Sequence, residues 1–234
     1  MELKGKNILI TGGSSGLGFS LAQKLIGRGC LVKIIGRSQE NLNEAAKKIN
    51  SPNFEALQCD VSKYIEVQKV VSGLDVDVLI NNAGVWLEGT VDNNDPIKIS
   101  ETIDINLKGV IFTTKEILPK MLKKNDGFIL NVVSTSGLKP REGQSVYVAS
   151  KFGVTGFTKS LDLDLAKTNI KVSCFFPGGM NTNLFDKAGT PKDNKDWMNP
   201  DLVADVIVFM LERDESMIVS HLELNKRGVR LSNK

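Results

Sequence analysis

The chain has 234 residues, 41% of them hydrophobic, and its 30 basic and 27 acidic side chains leave a formal charge of +3. That length buries a sizeable core in one unit and is short for two full-sized domains, so a single domain is expected. Charges of both signs are mixed along the chain, and no apolar run approaches the roughly 20 residues of a membrane-spanning helix, so neither nucleic acid nor membrane is an expected partner.

In chain order, residues 7–10 form a short apolar run that stops at a glycine-rich turn, and residues 17–28 then carry apolar side chains at helical spacing. The unit recurs. Strands are expected at 31–35 and 54–58 with helices at 40–49 and 66–71. A strand at 76–80 leads into a long helix over 96–124, and one at 127–133 into a helix over 146–167. A strand at 170–176, a loop over 177–200, a helix over 202–211 and a strand at 217–224 complete the chain. Short apolar strands alternating with helices predict a doubly wound parallel sheet covered on both faces. The 177–200 loop is long for a compact domain and carries Leu184, Phe185, Trp197 and Met198, so it is expected to act as a substrate lid. Cys30, Cys59 and Cys174 are odd in number and far apart in apolar stretches. They are expected to be buried thiols in a reducing compartment, and with the polar start Met1 to Lys6 the expected location is the cytoplasm.

Ligands of open parallel sheets sit beyond the carboxyl ends of the strands, where the first turn here is Thr11-Gly12-Gly13-Ser14-Ser15-Gly16-Leu17-Gly18. Glycines there let backbone approach a pyrophosphate, and the helix N-terminus adds N–H donors and a positive dipole end. Gly12, Ser14, Ser15, Gly16, Leu17 and Gly18 are therefore candidate cofactor residues. After the second strand, an NAD-selective site normally places a carboxylate to accept from the adenosine ribose 2′-hydroxyl. This chain has Gly36 there, followed by Arg37 and Ser38. A guanidinium pairs with a phosphate through two parallel hydrogen bonds and a serine adds a third donor, so NADP(H) is expected over NAD(H).

Further along, Tyr147 and Lys151 are four residues apart and share one face of a helix. Ser134 follows the strand that precedes them, which brings a hydroxyl to the carboxyl edge of the sheet. Asp60 follows a strand and is either a helix N-cap or a cofactor ligand. Asn81-Asn82-Ala83-Gly84 reads equally as a turn and as the small-residue wall of a nucleoside site. Asn106 is a poor helix former inside a helical pattern, so a kink or a hydrogen-bonding task is expected there.

The Gly-x-x-x-Gly-x-Gly turn is followed in order by Asp60-Val61, Asn81-Asn82-Ala83-Gly84, Asn106, Ser134, Tyr147-x-x-x-Lys151 and Pro177-Gly178. With these the chain resembles the short-chain dehydrogenase/reductase family from about residue 6 to about residue 225. The resemblance implies a Rossmann-type sheet and an oxidoreductase that moves hydride between a nicotinamide dinucleotide and a carbonyl or secondary alcohol, a carbonyl reductase in the broad sense. It assigns Asp60, beside Val61, to the adenine amino group, and Asn82, Ala83 and Gly84 to the adenosine. Pro177, Gly178 and Thr182 fall to the nicotinamide side, and Asn106 to a water that extends a proton relay. Ser134, rather than Ser136, maps onto the family's catalytic serine, Tyr147 onto its acid and base, and Lys151 onto the residue that holds the nicotinamide ribose and lowers the phenol's pKa. Trp86, Leu87, Arg141, Gln144, Met180 and Phe185 are candidate substrate contacts, and the single histidine, His221, is expected to be structural. The resemblance also implies a homodimer or homotetramer, for which the helices over 96–124 and 146–167 are the expected contact. Residues after 224 form a polar tail that departs from the glycine-rich ending of many family members. A competing reading is a non-catalytic NADP(H)-sensing protein of the same fold, against which the intact Ser134, Tyr147, Lys151 and Asn106 argue.

Overall fold

The structure, a computed structural model, describes residues 1–227, so most of the polar tail lies outside the described residues. The strands are β1 (Asn7–Thr11), β2 (Leu31–Gly36), β3 (Phe54–Gln58), β4 (Val78–Asn81), β5 (Gly127–Val132), β6 (Ile170–Pro177) and β7 (His221–Leu224). They form one seven-stranded sheet in the order β3-β2-β1-β4-β5-β6-β7, and every neighbouring pair is parallel. This is a Rossmann-type doubly wound sheet in a single domain. Consecutive side chains of a strand point to opposite faces. Ile8 and Ile10 of β1 accordingly pack with Leu17, Leu21, Val203 and Ile207 on one face, while Leu9 packs with Val67, Ile117 and Leu161 on the other. Both faces are covered, which is why the strand sequences read as apolar runs rather than as alternation.

The helices are α1 (Gly16–Gly27), α2 (Gln39–Ile49), α3 (Tyr64–Val71), α4 (Pro96–Ile103), α5 (Gly109–Lys124), α6 (Ser145–Asp164), the single turn α7 (Leu184–Lys187) and α8 (Pro200–Leu211). Local chemistry sets their ends. Ser38, Asp95 and Asn199 cap α2, α4 and α8 by accepting from backbone N–H groups, and Pro96 and Pro200 follow two of those caps, where the missing N–H costs nothing. The sequence predicts one helix over 96–124. A π turn at Asp104–Lys108 divides it into α4 and α5, and Asn106 lies in that turn. The expected loop over 177–200 has more order than its composition suggests: besides α7, Met180 and Met198 form a parallel bridge, with Asn181 N–H donating to the Met198 carbonyl at 2.9 Å. The last strand is shorter than expected: its pairing with β6 begins at His221, opposite Cys174, and residues 217–220 lie outside it.

The central strands carry a buried polar chain in an otherwise apolar layer. Asn81 and Asn131 are register partners on β4 and β5. Asn81 donates to Asn131 at 2.8 Å and to Thr114 at 3.2 Å, accepts from Thr113 at 2.6 Å, and Asn131 donates to Thr158 at 2.8 Å. This chain ties β4 and β5 to α5 and α6, the elements that lead to Asn106, Ser134 and Tyr147. Asn131→Leu keeps the side-chain shape but leaves one Asn81 N–H unpaired in a dry interior. It is expected to destabilise the protein by at least about 2 kcal/mol, read as a lowered urea midpoint; a midpoint equal to wild type would show that the chain contributes nothing to stability.

Candidate functional site

The strand order reverses between β1 and β4, so the loops that leave their carboxyl ends diverge and open a crevice. A cleft of about 640 Å³ occupies it. The two loops are fastened to one another. Thr11 Oγ1 accepts from the backbone N–H of Asn82 at 2.9 Å and of Ala83 at 2.8 Å, and Asn82 Nδ2 donates to the carbonyls of Thr11 at 3.0 Å and Gly12 at 3.1 Å. Gly12 has a φ of +65°, and a Cβ on it would lie 2.8 Å from Ala83 Cα. A Cβ on Gly18 would lie 2.5 Å from the Gly12 carbonyl oxygen. Neither position admits a side chain, whatever ligand is bound.

Helix α1 starts at this turn with no side chain capping its first N–H groups and no acidic residue in its first turn. Uncapped donors and a positive dipole end suit an anion. Gly12, Ser14, Ser15, Gly16 and Leu17 line the cleft, and Gly18 sits behind them. Ser15 Oγ accepts from Lys187 of α7 at 3.0 Å. The donor set and the glycine-rich turn fit a dinucleotide pyrophosphate.

At one end of the cleft lie Gly36, Arg37 and Ser38. Ser38 spends its hydroxyl as the α2 cap, accepting from Asn41 N–H at 3.2 Å. Arg37 pairs with Glu101 of α4 at 2.9 Å. Val61 lines the same end, with Cys59, but Asp60 between them does not. Asp60 accepts from the backbone and hydroxyl of Ser62 at 3.0 and 2.7 Å, a local turn that leads into α3, and that helix starts at Tyr64 rather than at Val61. Asp60 therefore does not cap α3, and its Oδ1 is the oxygen engaged by this turn.

The other end brings together the four residues assigned to the proton. Asn106, fully buried, accepts from Val85 N–H at 2.8 Å and donates to the Val85 carbonyl at 3.0 Å and to Ser150 Oγ at 3.1 Å. Its two amide protons are thus engaged by the protein. Ser134, Tyr147 and Lys151 line the cleft with Asn82, Ala83, Gly84, Pro177, Gly178 and Thr182. Ser134 Oγ accepts from Ser136 N–H at 3.1 Å, while the Ser136 hydroxyl turns toward Gln144, 3.4 Å away. Lys151 Nζ donates to the Val132 carbonyl at 3.3 Å and lies 5.8 Å from the centre of the Tyr147 ring.

Burial governs the titration of this pair. It pushes the Tyr147 phenol up to about 12, against a hydrogen bond with Ser134 that pulls the other way, and it lowers the Lys151 ammonium to about 8. In this structure burial outweighs the lowering of the phenol expected from Lys151, and it drives each group toward its neutral form.

The substrate side is aromatic. The Trp86 ring lies 4.6 Å from that of Tyr147 and 5.1 Å from that of Phe185, which lies 5.2 Å from that of Trp197. Lys192 Nζ sits 5.6 Å from the Trp86 ring centre and pairs with Glu88 at 2.8 Å, joining the 177–200 segment to the loop after β4. Trp86, Arg141, Gln144, Met180 and Phe185 line the cleft as expected, and Leu87 does not. Arg141 donates to Thr135 at 3.2 Å. Sequence reasoning missed Glu101, Lys192 and Ser150, while Trp197 was named with the lid. Ser150 was legible in principle, three residues after Tyr147 on the helix, whereas the other two are brought in by tertiary packing alone. His221 is exposed on β7, away from the cleft. The three cysteines are buried and unbridged, and no helix among the described residues is long and apolar enough to cross a membrane.

Comparison with known proteins agrees with this geometry. The profile of the short chain dehydrogenase family matches residues 6–193. An uncharacterised oxidoreductase of Staphylococcus saprophyticus is 31% identical over 243 residues, covering 98% of this chain and 99% of the relative. A closed serine dehydrogenase complexed with NADP+ superposes with a TM-score of 0.88 at 27% identity over 94% of each chain. A 3-ketoacyl-(acyl-carrier-protein) reductase from Brucella melitensis complexed with NADH superposes at 0.87 and 28% identity, over 95% of this chain and 97% of that one.

The lowered Lys151 value has a consequence for stability. Between about 8 in the folded chain and the ordinary 10.5 in the unfolded one, the unfolded state binds more protons, so the contribution of Lys151 to stability rises with pH across that window. At about 1.4 kcal/mol per tenfold change in proton affinity, the full effect is on the order of 3 kcal/mol. Lys151→Met carries no such penalty. The cofactor-free variant is expected to melt above wild type below pH 8, with the gap closing as pH approaches 10.5; a gap that is constant with pH would contradict the burial of an ammonium here.

Proposed function

The chain belongs to the short chain dehydrogenase family and is an oxidoreductase, and we propose from that premise that it moves hydride between NADP(H) and a carbonyl or secondary-alcohol carbon, with Tyr147 as general acid and base. The observation that carries this reading is the convergence of Ser134, Tyr147, Lys151 and Gly84 on one end of a cleft whose middle is a glycine-rich turn at an uncapped helix N-terminus. Bound in that cleft, the dinucleotide supplies or accepts the hydride. The protein supplies the rest. Tyr147, held as the neutral phenol by burial, is in the state that gives a proton to a carbonyl oxygen. The Ser134 hydroxyl donates to the same oxygen as negative charge gathers on it. Lys151 Nζ, beside Gly84, would donate to a ribose hydroxyl. In the oxidative direction Tyr147 must first lose its proton, and a positive charge arriving nearby favours that loss. Asn106 fixes Val85 and Ser150, so a relay water beside it would have to bind groups other than its amide protons.

The wall formed by Trp86, Phe185 and Trp197 excludes water and presents flat apolar surface to the substrate, and residues 177–200 serve as its lid. Buried thiols without disulfides suit a cytoplasmic enzyme. On α6, Phe152 and Leu163 are exposed, as is Ile97 on α4. These faces support self-association through the helices over 96–124 and 146–167 as a homodimer or homotetramer. Sedimentation at micromolar concentration is expected to show an oligomer, and monomer alone would refute it.

Tyr147→Phe deletes the proton donor and little binding surface. Turnover with a reducible carbonyl is expected to fall at least about 100-fold while dinucleotide affinity stays within a few-fold; a variant keeping a tenth of the rate would remove Tyr147 from the acid role.

The similar structures hold NADP+ in one case and NADH in another, so the choice rests on this chain's own residues. Gly36 offers no carboxylate at the end of β2, and Arg37 lines the cleft there. Arg37→Ala is expected to weaken NADPH at least about tenfold more than NADH, since each charge-assisted hydrogen bond is worth about 1.5–3 kcal/mol. Fluorescence titration of both dinucleotides reads the difference, and equal weakening would rule out the NADP(H) assignment.

A further inference from the structure

Arg37 is not idle. Its Nη1 is 2.9 Å from Glu101 Oε1, and the two side chains, 53% and 39% exposed, close one corner of the cleft between the end of β2 and α4. Both line the cleft, with Ser38, Asn41 and Lys98. A 2′-phosphate that takes the guanidinium therefore takes it from a carboxylate. A dinucleotide without that phosphate asks nothing of Arg37 and leaves the pair in place.

We infer that Glu101 is the specificity-determining competitor of the 2′-phosphate for Arg37, setting how strongly the cleft prefers a phosphorylated adenosine. The inference rests on the NADP(H) reading of Arg37. One physical cost bears on the phosphorylated ligand alone: the carboxylate loses its guanidinium partner. The corner is half-exposed, so solvent screens that cost and it stays moderate.

The local bonding does not require this pair for the fold. Helix α4 is capped by Asp95, whose carboxylate accepts from Ile97 N–H at 2.9 Å, and the Arg37 backbone is held separately, its carbonyl accepting from Gln58 Nε2 at 3.0 Å. Glu101→Gln keeps the shape and removes the charge, so a folded variant is expected and its effect is readable in binding.

The experiment is a double-mutant cycle on the whole protein: wild type, Glu101→Gln, Arg37→Ala and the double variant, each titrated with NADPH and with NADH at low and at moderate salt. Glu101→Gln is expected to tighten NADPH by about 3- to 10-fold, the scale of a half-exposed charge interaction, and to leave NADH within about twofold. In the Arg37→Ala background the gain is expected to shrink below about twofold, because the competition is for that guanidinium. Three results would overturn the inference. NADPH affinity that is unchanged or weaker in Glu101→Gln would make Glu101 an orienting partner or a bystander. Equal tightening of both dinucleotides would make it a general repulsive charge. A gain that persists undiminished without Arg37 would mean that it acts on the phosphate directly. Failure of the underlying NADP(H) reading looks different, since there Arg37→Ala alone weakens the two dinucleotides equally.

Discussion

The Thr11 hydroxyl accepts from two consecutive backbone N–H groups, those of Asn82 and Ala83, at the point where the strand order reverses. Those N–H groups leave the end of β4 with no strand partner, and a part-buried donor without an acceptor is costly. Pairing them with a side chain of β1 satisfies the donors and locks the two diverging loops at one separation. Asn82 returns two bonds to the Thr11 and Gly12 carbonyls, so the lock is reciprocal. With the separation fixed, Gly12 and Gly18 have no room for a Cβ, the uncapped end of α1 faces the crevice, and Ala83 and Gly84 continue from the lock to the residues around Tyr147. The phosphate turn and the catalytic end therefore share one frame.

From Gly84 the frame continues through Asn106. A regular helix over 96–124 would carry the amide at this position with no provision for a task elsewhere. The π turn allows Asn106 to meet both backbone groups of Val85 and the hydroxyl of Ser150. Ser150 in turn donates to the Tyr147 carbonyl at 2.7 Å. One buried amide thus couples the loop after β4 to the helix that bears Tyr147 and Lys151. A departure from regular helix at a functional position is where such irregularity is expected.

Much of this was legible in the sequence. The inner strands were foreseen because they are short apolar runs, the pattern that burial on both faces of a parallel sheet leaves, while the edge strands β3 and β7 alternate polar with apolar residues and carry no fully buried side chain. The glycine turn, Ser134, Tyr147 and Lys151 were legible because their chemistry is local: a turn that excludes side chains, a hydroxyl at a strand end, two residues one helical turn apart. Asn106 was flagged as misplaced in a helix, though the form of the irregularity was not. What stayed hidden came from across the fold. Glu101 is in α4 and Lys192 is in the 177–200 segment, and nothing near them in sequence says that they meet Arg37 or Glu88. The Tyr147 shift escaped for a related reason, since it depends on how completely the surrounding elements shut out water, which no spacing records. Asp60 was read two ways, and the tight Ser62 turn that engages it is a local motif the sequence did permit.

The bonds around the cleft divide into two kinds, and the division follows the work each part does. Around Asn106, Tyr147 and the Thr11 lock, polar atoms are buried and paired with backbone or neighbouring side chains, so displacing any of them strands a donor or acceptor in a dry interior. Such a region holds one geometry, as proton transfer over hydrogen-bond distances demands. The Lys192–Glu88, Arg37–Glu101 and Lys187–Ser15 contacts at the rim are instead partly exposed and worth little individually, because water replaces them at small cost. They lie at the rim of the cleft and where the 177–200 segment meets the body of the protein. A rim built from exchangeable contacts can rearrange at small cost without disturbing the buried floor, so the two parts do not depend on the same interactions.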